Sequence, residues 1–236
     1  MRVKDNLKAI RDEINKACEK SGRDPESVRI IAVTKYVSAE RAREALEAGI
    51  LDLGENRDEG ILRKFELLGD SPIWHYIGTL QTRKVKNVIE KIAYLHSLDR
   101  LSLAKEVNSR ARRVVKCLVQ VNVSGEDSKH GLEPSAVLDF VKELEQFSNI
   151  RVEGLMTMAP FINDEQLLRN CFRELKNLQL AVQSLNLEYA PCTELSMGMS
   201  NDFRIAVEEG ATMVRIGTAL VGHEAEVESD EPEIKN

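Results

Sequence analysis

Lys35 directly follows the apolar run Ile30-Ile31-Ala32-Val33-Thr34, which places a primary amine at the end of a strand with an apolar wall. Desolvation there lowers an ammonium's pKa and frees the amine for attack on a carbonyl, the requirement for a Schiff base. The plainer alternative is a lysine snorkelling from the strand end into water. Two further segments join turn glycines to hydroxyls. Leu195-Ser-Met-Gly-Met-Ser-Asn-Asp202 reads as a strand end, a glycine turn and a helix start. Gly198 would let backbone approach a ligand closely, and Ser200 would cap the helix and present a hydroxyl beside its unpaired N–H groups. Val214-Arg-Ile-Gly-Thr218 offers a second turn, with backbone donors, a hydroxyl and the cation of Arg215. Both segments suit a phosphate, and a plain capped helix is the alternative for the first.

These residues need elements to position them. Val3, Leu7, Ile10, Ile14 and Ala17 recur at steps of four and three, which predicts an amphipathic helix ending near Ser21-Gly22. Strands are predicted near 28–34, 51–53, 73–77, 92–97, 115–123, 150–156, 193–196 and 212–216, with helical stretches near 38–48, 56–68, 81–90, 99–112, 134–147, 164–185 and 201–209. Alternation of this kind builds a parallel sheet, and eight strands is the number at which such a sheet closes. The predicted fold is a single α/β domain, a (β/α)8 TIM barrel over residues 1–223 with its N-terminal helix. An open doubly wound sheet is the alternative, because the runs at 51–53 and 193–196 are short. Residues 224–236 are mostly acidic with almost nothing apolar, and are expected to form a disordered tail.

In such a barrel the active site lies at the C-terminal ends of the strands, often with phosphate on the loops after strands seven and eight. Closure sets strand eight beside strand one, so Lys35 would stand one strand from the phosphate turns. A ligand with a phosphate at one end and an aldehyde at the other fits that spacing, and pyridoxal 5'-phosphate (PLP) is such a molecule.

Composition removes other classes. The 236 residues carry 33 Lys and Arg against 39 Asp and Glu, a net charge of -6, which argues against nucleic acid as a partner. With 42% hydrophobic and 31% charged residues the chain is an ordinary globule. Cys18, Cys117, Cys171 and Cys192 are widely separated, with no metal-ligand spacing, and read as reduced thiols. No run approaches the roughly 20 apolar residues that span a bilayer, so a cytoplasmic protein with no membrane partner is expected. The basic residues Arg100, Lys105, Arg110, Arg112 and Arg113 read as a solvated helix face rather than a docking surface.

Several segments together carry a resemblance: Ala32-Val-Thr-Lys35, Gly54-Glu-Asn-Arg57, Trp74-His-Tyr-Ile-Gly-Thr-Leu-Gln81, His96-Ser-Leu-Asp-Arg100, Gln120-Val-Asn-Val-Ser-Gly-Glu126, Lys129-His-Gly131, Gly154-Leu-Met-Thr-Met-Ala159, Leu195-Ser-Met-Gly-Met-Ser200 and Val214-Arg-Ile-Gly-Thr218. The chain resembles the pyridoxal phosphate homeostasis proteins, relatives of the N-terminal barrel of alanine racemase. The resemblance implies PLP bound covalently to Lys35, with Ser200, Gly217 and Thr218 on its phosphate and Met199 among the cofactor-binding residues. It also implies Arg215 facing the pyridine nitrogen, and Asn56 and His75 at strand ends on the ring side. Asn56 and His75 remain open to a structural reading. Departures at Arg57-Asp58 and Thr82-Arg83 lie outside these contacts.

A permanently charged Arg215 cannot take the ring proton as an acid partner would, which disfavours carbanion chemistry. Racemisation also needs a second acid/base on the opposite face. Alanine racemase supplies it as a tyrosine from a C-terminal β domain, which is not expected here. Tyr36, next in an extended run, is expected to point to the opposite side of the strand from Lys35. The leading expectation is therefore a monomeric PLP carrier and homeostasis protein that passes its cofactor to apo-enzymes. A small PLP-dependent racemase is the alternative, and a sugar-phosphate isomerase using Glu55 or Glu194 as base is a third reading.

Overall fold

The computed structural model describes residues 2–126 and 130–223. The predicted tail at 224–236 and Lys129 of the quoted motif lie outside the described residues. The first helix, α1 (Val3–Ser21), buries Val3, Leu7, Ile10, Ile14 and Ala17 along one stripe. It stops at Gly22, whose φ of 66° is left-handed. From there strands and helices alternate: β1 (Arg29–Val33), α2 (Ala39–Glu47), β2 (Asp52–Glu55), α3 (Asp58–Leu68), β3 (Ile73–Tyr76), α4 (Val85–Val88), β4 (Tyr94–Leu98), α5 (Leu101–Arg110), β5 (Val115–Gln120), α6 (Val137–Glu143), β6 (Ile150–Met156), α7 (Glu165–Gln183), β7 (Glu194–Met199), α8 (Phe203–Glu208), β8 (Met213–Ile216) and α9 (Thr218–Val221).

The eight strands form one closed parallel barrel in sequence order. β1 and β8 close it, in register from Arg29 opposite Met213 to Ala32 opposite Ile216. The two shortest predicted strands are real and longer than their apolar runs, because Gly54 and Gly198 lie within them rather than ending them. The stretch at 81–90 is shorter than predicted: a 3-10 turn at Thr82–Lys84 leads into only Val85–Val88. The fifth strand stops at Gln120, where the backbone of Leu132 takes over its hydrogen bonds.

One apolar layer packs between the strands and the helices. Inside the barrel Ile31, Tyr94, Leu118, Met156 and Met213 form a smaller cluster. A band of buried polar side chains shares that interior, His75 and His96 among them, both fully buried.

Candidate functional site

β1 ends at Val33, and a turn closed by Val37 N–H donating to the Thr34 carbonyl (3.1 Å) carries Lys35 out of the strand. Lys35 is therefore exposed, not set against an apolar wall. Its Nζ lies 4.6 Å from the centre of the Tyr36 ring. This also corrects the expected placement of Tyr36, since strand alternation does not hold in a turn. Behind the turn, Thr34 Oγ1 donates to Glu55 Oε1 (2.6 Å), and Lys64 Nζ stands 2.8 Å from the same oxygen. The Lys64 ammonium is in ion-pair range but out of line for a hydrogen bond, and both charges are buried.

Across the β1–β8 seam, Gly217 follows β8 and packs against Val33, and Thr218 opens α9. Met199 ends β7 opposite Arg215, and half-buried Ser200 begins the next turn. The N-cap of α8 is Asp202, not Ser200. Its carboxylate accepts from Met199 N–H (2.6 Å), so that amide is committed within the protein. Burial raises the pKa of Asp202, partly opposed by the Met199 hydrogen bond. Gly198 has a left-handed φ of 90° and lies against α8, where a Cβ would come within 2.6 Å of the Ala206 Cβ. The amine of Lys35 and the turns after β7 and β8 thus stand on three adjoining strand ends.

Arg215 lies beneath them and is buried. Its Nη1 donates to Ser196 Oγ (2.6 Å) and its Nη2 to the Thr157 carbonyl (2.8 Å). Burial lowers it to about 10, which leaves it cationic at neutral pH. Asn56 lies just past β2, beside a cleft on the β2–β3 side lined also by Asp58, Tyr76, Gln81 and Lys84. His75 does not end its strand and does not reach the rim. Its side chain is inside the barrel, with Nε2 2.8 Å from Asp52 Oδ1, Nδ1 2.8 Å from His96 Nε2, and the ring stacked on Tyr94 at 4.6 Å. Sequence reading assigned no role to His96, Ser196, Thr157 or Asp52. The only available signal was that polar residues recur at strand positions two apart, as in Tyr94-Leu-His96 and Glu194-Leu-Ser196.

Neither proposed isomerase base is available at the mouth. Glu55 is held by Thr34 and Lys64, while Glu194 starts β7 at the opposite end and accepts from Arg29 (2.6 Å). The basic run is largely used within the fold: Arg100 and Arg113 donate to the Leu80 and Ile92 carbonyls, and Arg110 pairs with Glu106.

Near the cleft, Asp58 accepts from Lys84 Nζ (2.5 Å) and Asn87 Nδ2 (2.9 Å). Burial would raise its pKa, but these bonds outweigh it and lower the group from 3.8 to about 2. A depressed carboxylate stabilises the fold above its unfolded pKa, and that contribution, on the order of 2 kcal/mol, fades as pH falls through about 2. Asp58→Asn is expected to lower the urea midpoint at pH 6 and to differ progressively less from the parent towards pH 2. A difference that stays constant with pH would show that the ionised form carries none of it.

The family model for the alanine racemase N-terminal domain matches residues 6–225. A closed eight-stranded parallel barrel matched by that model over nearly all of its described length defines the class: an alanine-racemase-type barrel. Among curated proteins, a "Pyridoxal phosphate homeostasis protein" of Aquifex aeolicus is 40% identical over 227 residues, covering 94% of this chain and 98% of the relative. The solved structure of PipY from Synechococcus elongatus "with PLP bound" superposes with a TM-score of 0.81 at 31% identity, covering 93% of this chain and 100% of that one. An alanine racemase of Clostridium difficile shares the fold, with a TM-score of 0.73 at 15% identity, and this chain spans 58% of its length. The chain belongs to the pyridoxal phosphate homeostasis protein family. Among the described residues, no helix is long and apolar enough to cross a membrane.

Proposed function

We propose that this protein holds PLP on Lys35 and serves intracellular PLP homeostasis as a monomeric carrier, without robust turnover of amino acids. The observation that carries the reading is the juxtaposition of the Lys35 amine with the β7 and β8 turns above a buried arginine. That donor set fits the cofactor: an amine for an aldehyde, turn donors for a phosphate and a cation for the ring nitrogen. When bound, PLP would supply an electrophilic aldehyde, for which the Lys35 amine is the matching nucleophile.

The protein's own residues bind and orient. Ser200 and Thr218 offer hydroxyls, and Gly217 and the first residues of α9 offer backbone N–H groups that lack intrahelical acceptors. Asn56 borders the ring side. Met199 contributes through its side chain, because its amide is taken by Asp202. Arg215 stays protonated against the ring nitrogen and does not hand it a proton, which limits the ring as an electron sink. Exposure of Lys35 favours loading and release over sequestered chemistry. The names of the curated relatives, which are homeostasis proteins, support the same reading.

The test is to incubate PLP-loaded protein with L-alanine or L-serine in deuterium oxide, and separately with an apo PLP-dependent enzyme. The expected result is reactivation of the apo-enzyme with no sustained deuterium entry at Cα and no D-enantiomer. Sustained racemisation would replace the carrier reading with the racemase one.

A further inference from the structure

Behind Arg215 an unbroken line of buried hydrogen bonds crosses the barrel interior. It runs from Arg215 Nη1 to Ser196 Oγ (2.6 Å), Ser196 Oγ to His96 Nδ1 (3.0 Å), His96 Nε2 to His75 Nδ1 (2.8 Å) and His75 Nε2 to Asp52 Oδ1 (2.8 Å). It joins β8, β7, β4, β3 and β2, and it ends near Arg29, whose Nη1 lies 4.0 Å from Asp52 and whose Nη2 binds Glu194.

The proton positions along this line follow from its two ends. A carboxylate only accepts, so His75 Nε2 carries the hydrogen. Both rings are fully buried, and burial lowers the pKa of each; His75 and Arg215 lower His96 further, while Asp52 partly opposes the shift at His75. A neutral His75 accepts at Nδ1, so His96 donates from Nε2 and accepts at Nδ1. The Ser196 hydroxyl then donates to His96, and its oxygen accepts from Arg215. Each donor meets one acceptor in a single direction, from cation to carboxylate. Reversing either ring sets two acceptors or two donors face to face at 2.8 Å.

We propose that Ser196 and His96, anchored through His75 on Asp52, are positioning residues that hold the Arg215 guanidinium in place for the ring nitrogen of bound PLP. This rests on the reading of the site above. With Nη1 on Ser196 and Nη2 on the Thr157 carbonyl, Arg215 is fixed from behind and keeps three further N–H groups. Tyr94 stacks on His75 and receives Arg29 and Lys116 at its hydroxyl, which braces the middle of the line.

The experiment has two arms. In cofactor-free protein, 15N NMR of the histidine side chains at pH 7.5 is expected to show His75 and His96 both neutral and protonated on Nε2. Protonation on Nδ1, or an imidazolium, at either ring would overturn the chain. In the second arm PLP titration is followed by visible absorbance, with folding checked by thermal melts. Ser196→Ala and His96→Phe are expected to weaken PLP binding about tenfold and to shift the absorbance of the bound cofactor. His96→Gln keeps an amide N–H and an acceptor oxygen and is expected to recover most of the affinity. Unchanged affinity and spectrum in both disruptive variants would overturn the positioning role while leaving Lys35 intact. A parent protein that takes up no PLP would instead remove the cofactor reading and this role with it.

Discussion

Glu55→Ala is expected to lower the unfolding free energy by about 3–5 kcal/mol. The substitution leaves the Lys64 ammonium, fully buried and 2.8 Å from Glu55 Oε1, without its counter-charge. The pair need not be stabilising in itself, because removing two charges from water costs nearly what their attraction returns. Replacing both partners, Glu55→Leu with Lys64→Met, is therefore expected to restore most of the stability. The site responds differently from the fold. Thr34 donates to Glu55 and is one residue before Lys35, so either variant releases the turn that presents the amine. PLP binding is expected to weaken in the single variant and to recover only in part in the double. Urea denaturation beside PLP titration separates the two effects; a single variant within 1 kcal/mol of the parent, on the scale of an ordinary surface change, would contradict the buried pair.

Gly154→Ala is expected to cost about 3 kcal/mol or more, at the upper end of overpacking. A register shift between β5 and β6 passes from Cys117 opposite Val152 to Leu118 opposite Gly154. Gly154 then faces Glu194 on β7 so closely that a Cβ would overlap the Glu194 carbonyl oxygen. That neighbour is backbone in a closed barrel and has no rotamer with which to yield. Glu194 also accepts from Arg29 and Thr212, so displacement would reach the polar interior. Thermal melting that moved by only a degree or two would show that the barrel flexes there after all.

The barrel was legible because each strand and helix carries a local period. Leu7, Ile10 and Ile14 mark one helical stripe, and Ile30 to Ala32 the buried middle of one strand. The order of these elements predicts the β1–β8 seam, which sets the end of β1, just before the Lys35 turn, alongside the end of β8, just before Gly217 and Thr218. Local pattern failed at the rim. Lys35 and Tyr36 sit in a turn where alternation no longer applies, and Asp202 rather than Ser200 caps α8. Gly198 was read as admitting a ligand close to the backbone, and its left-handed φ of 90° and the close helix behind it together require glycine there. His75 was read as ring-side or structural without a choice between them, and the interior network was missed, for one reason. His75 meets His96 21 positions away, and His96 meets Ser196 100 positions away, and nothing in either local segment signals those pairings.

The most direct test of the account is borohydride reduction of the PLP-loaded protein followed by peptide mass mapping. The expected result is one PLP adduct per chain, on Lys35, and none in Lys35→Ala under the same conditions. Labelling spread over surface lysines, or undiminished in Lys35→Ala, would contradict a site built from the ends of β7, β8 and β1.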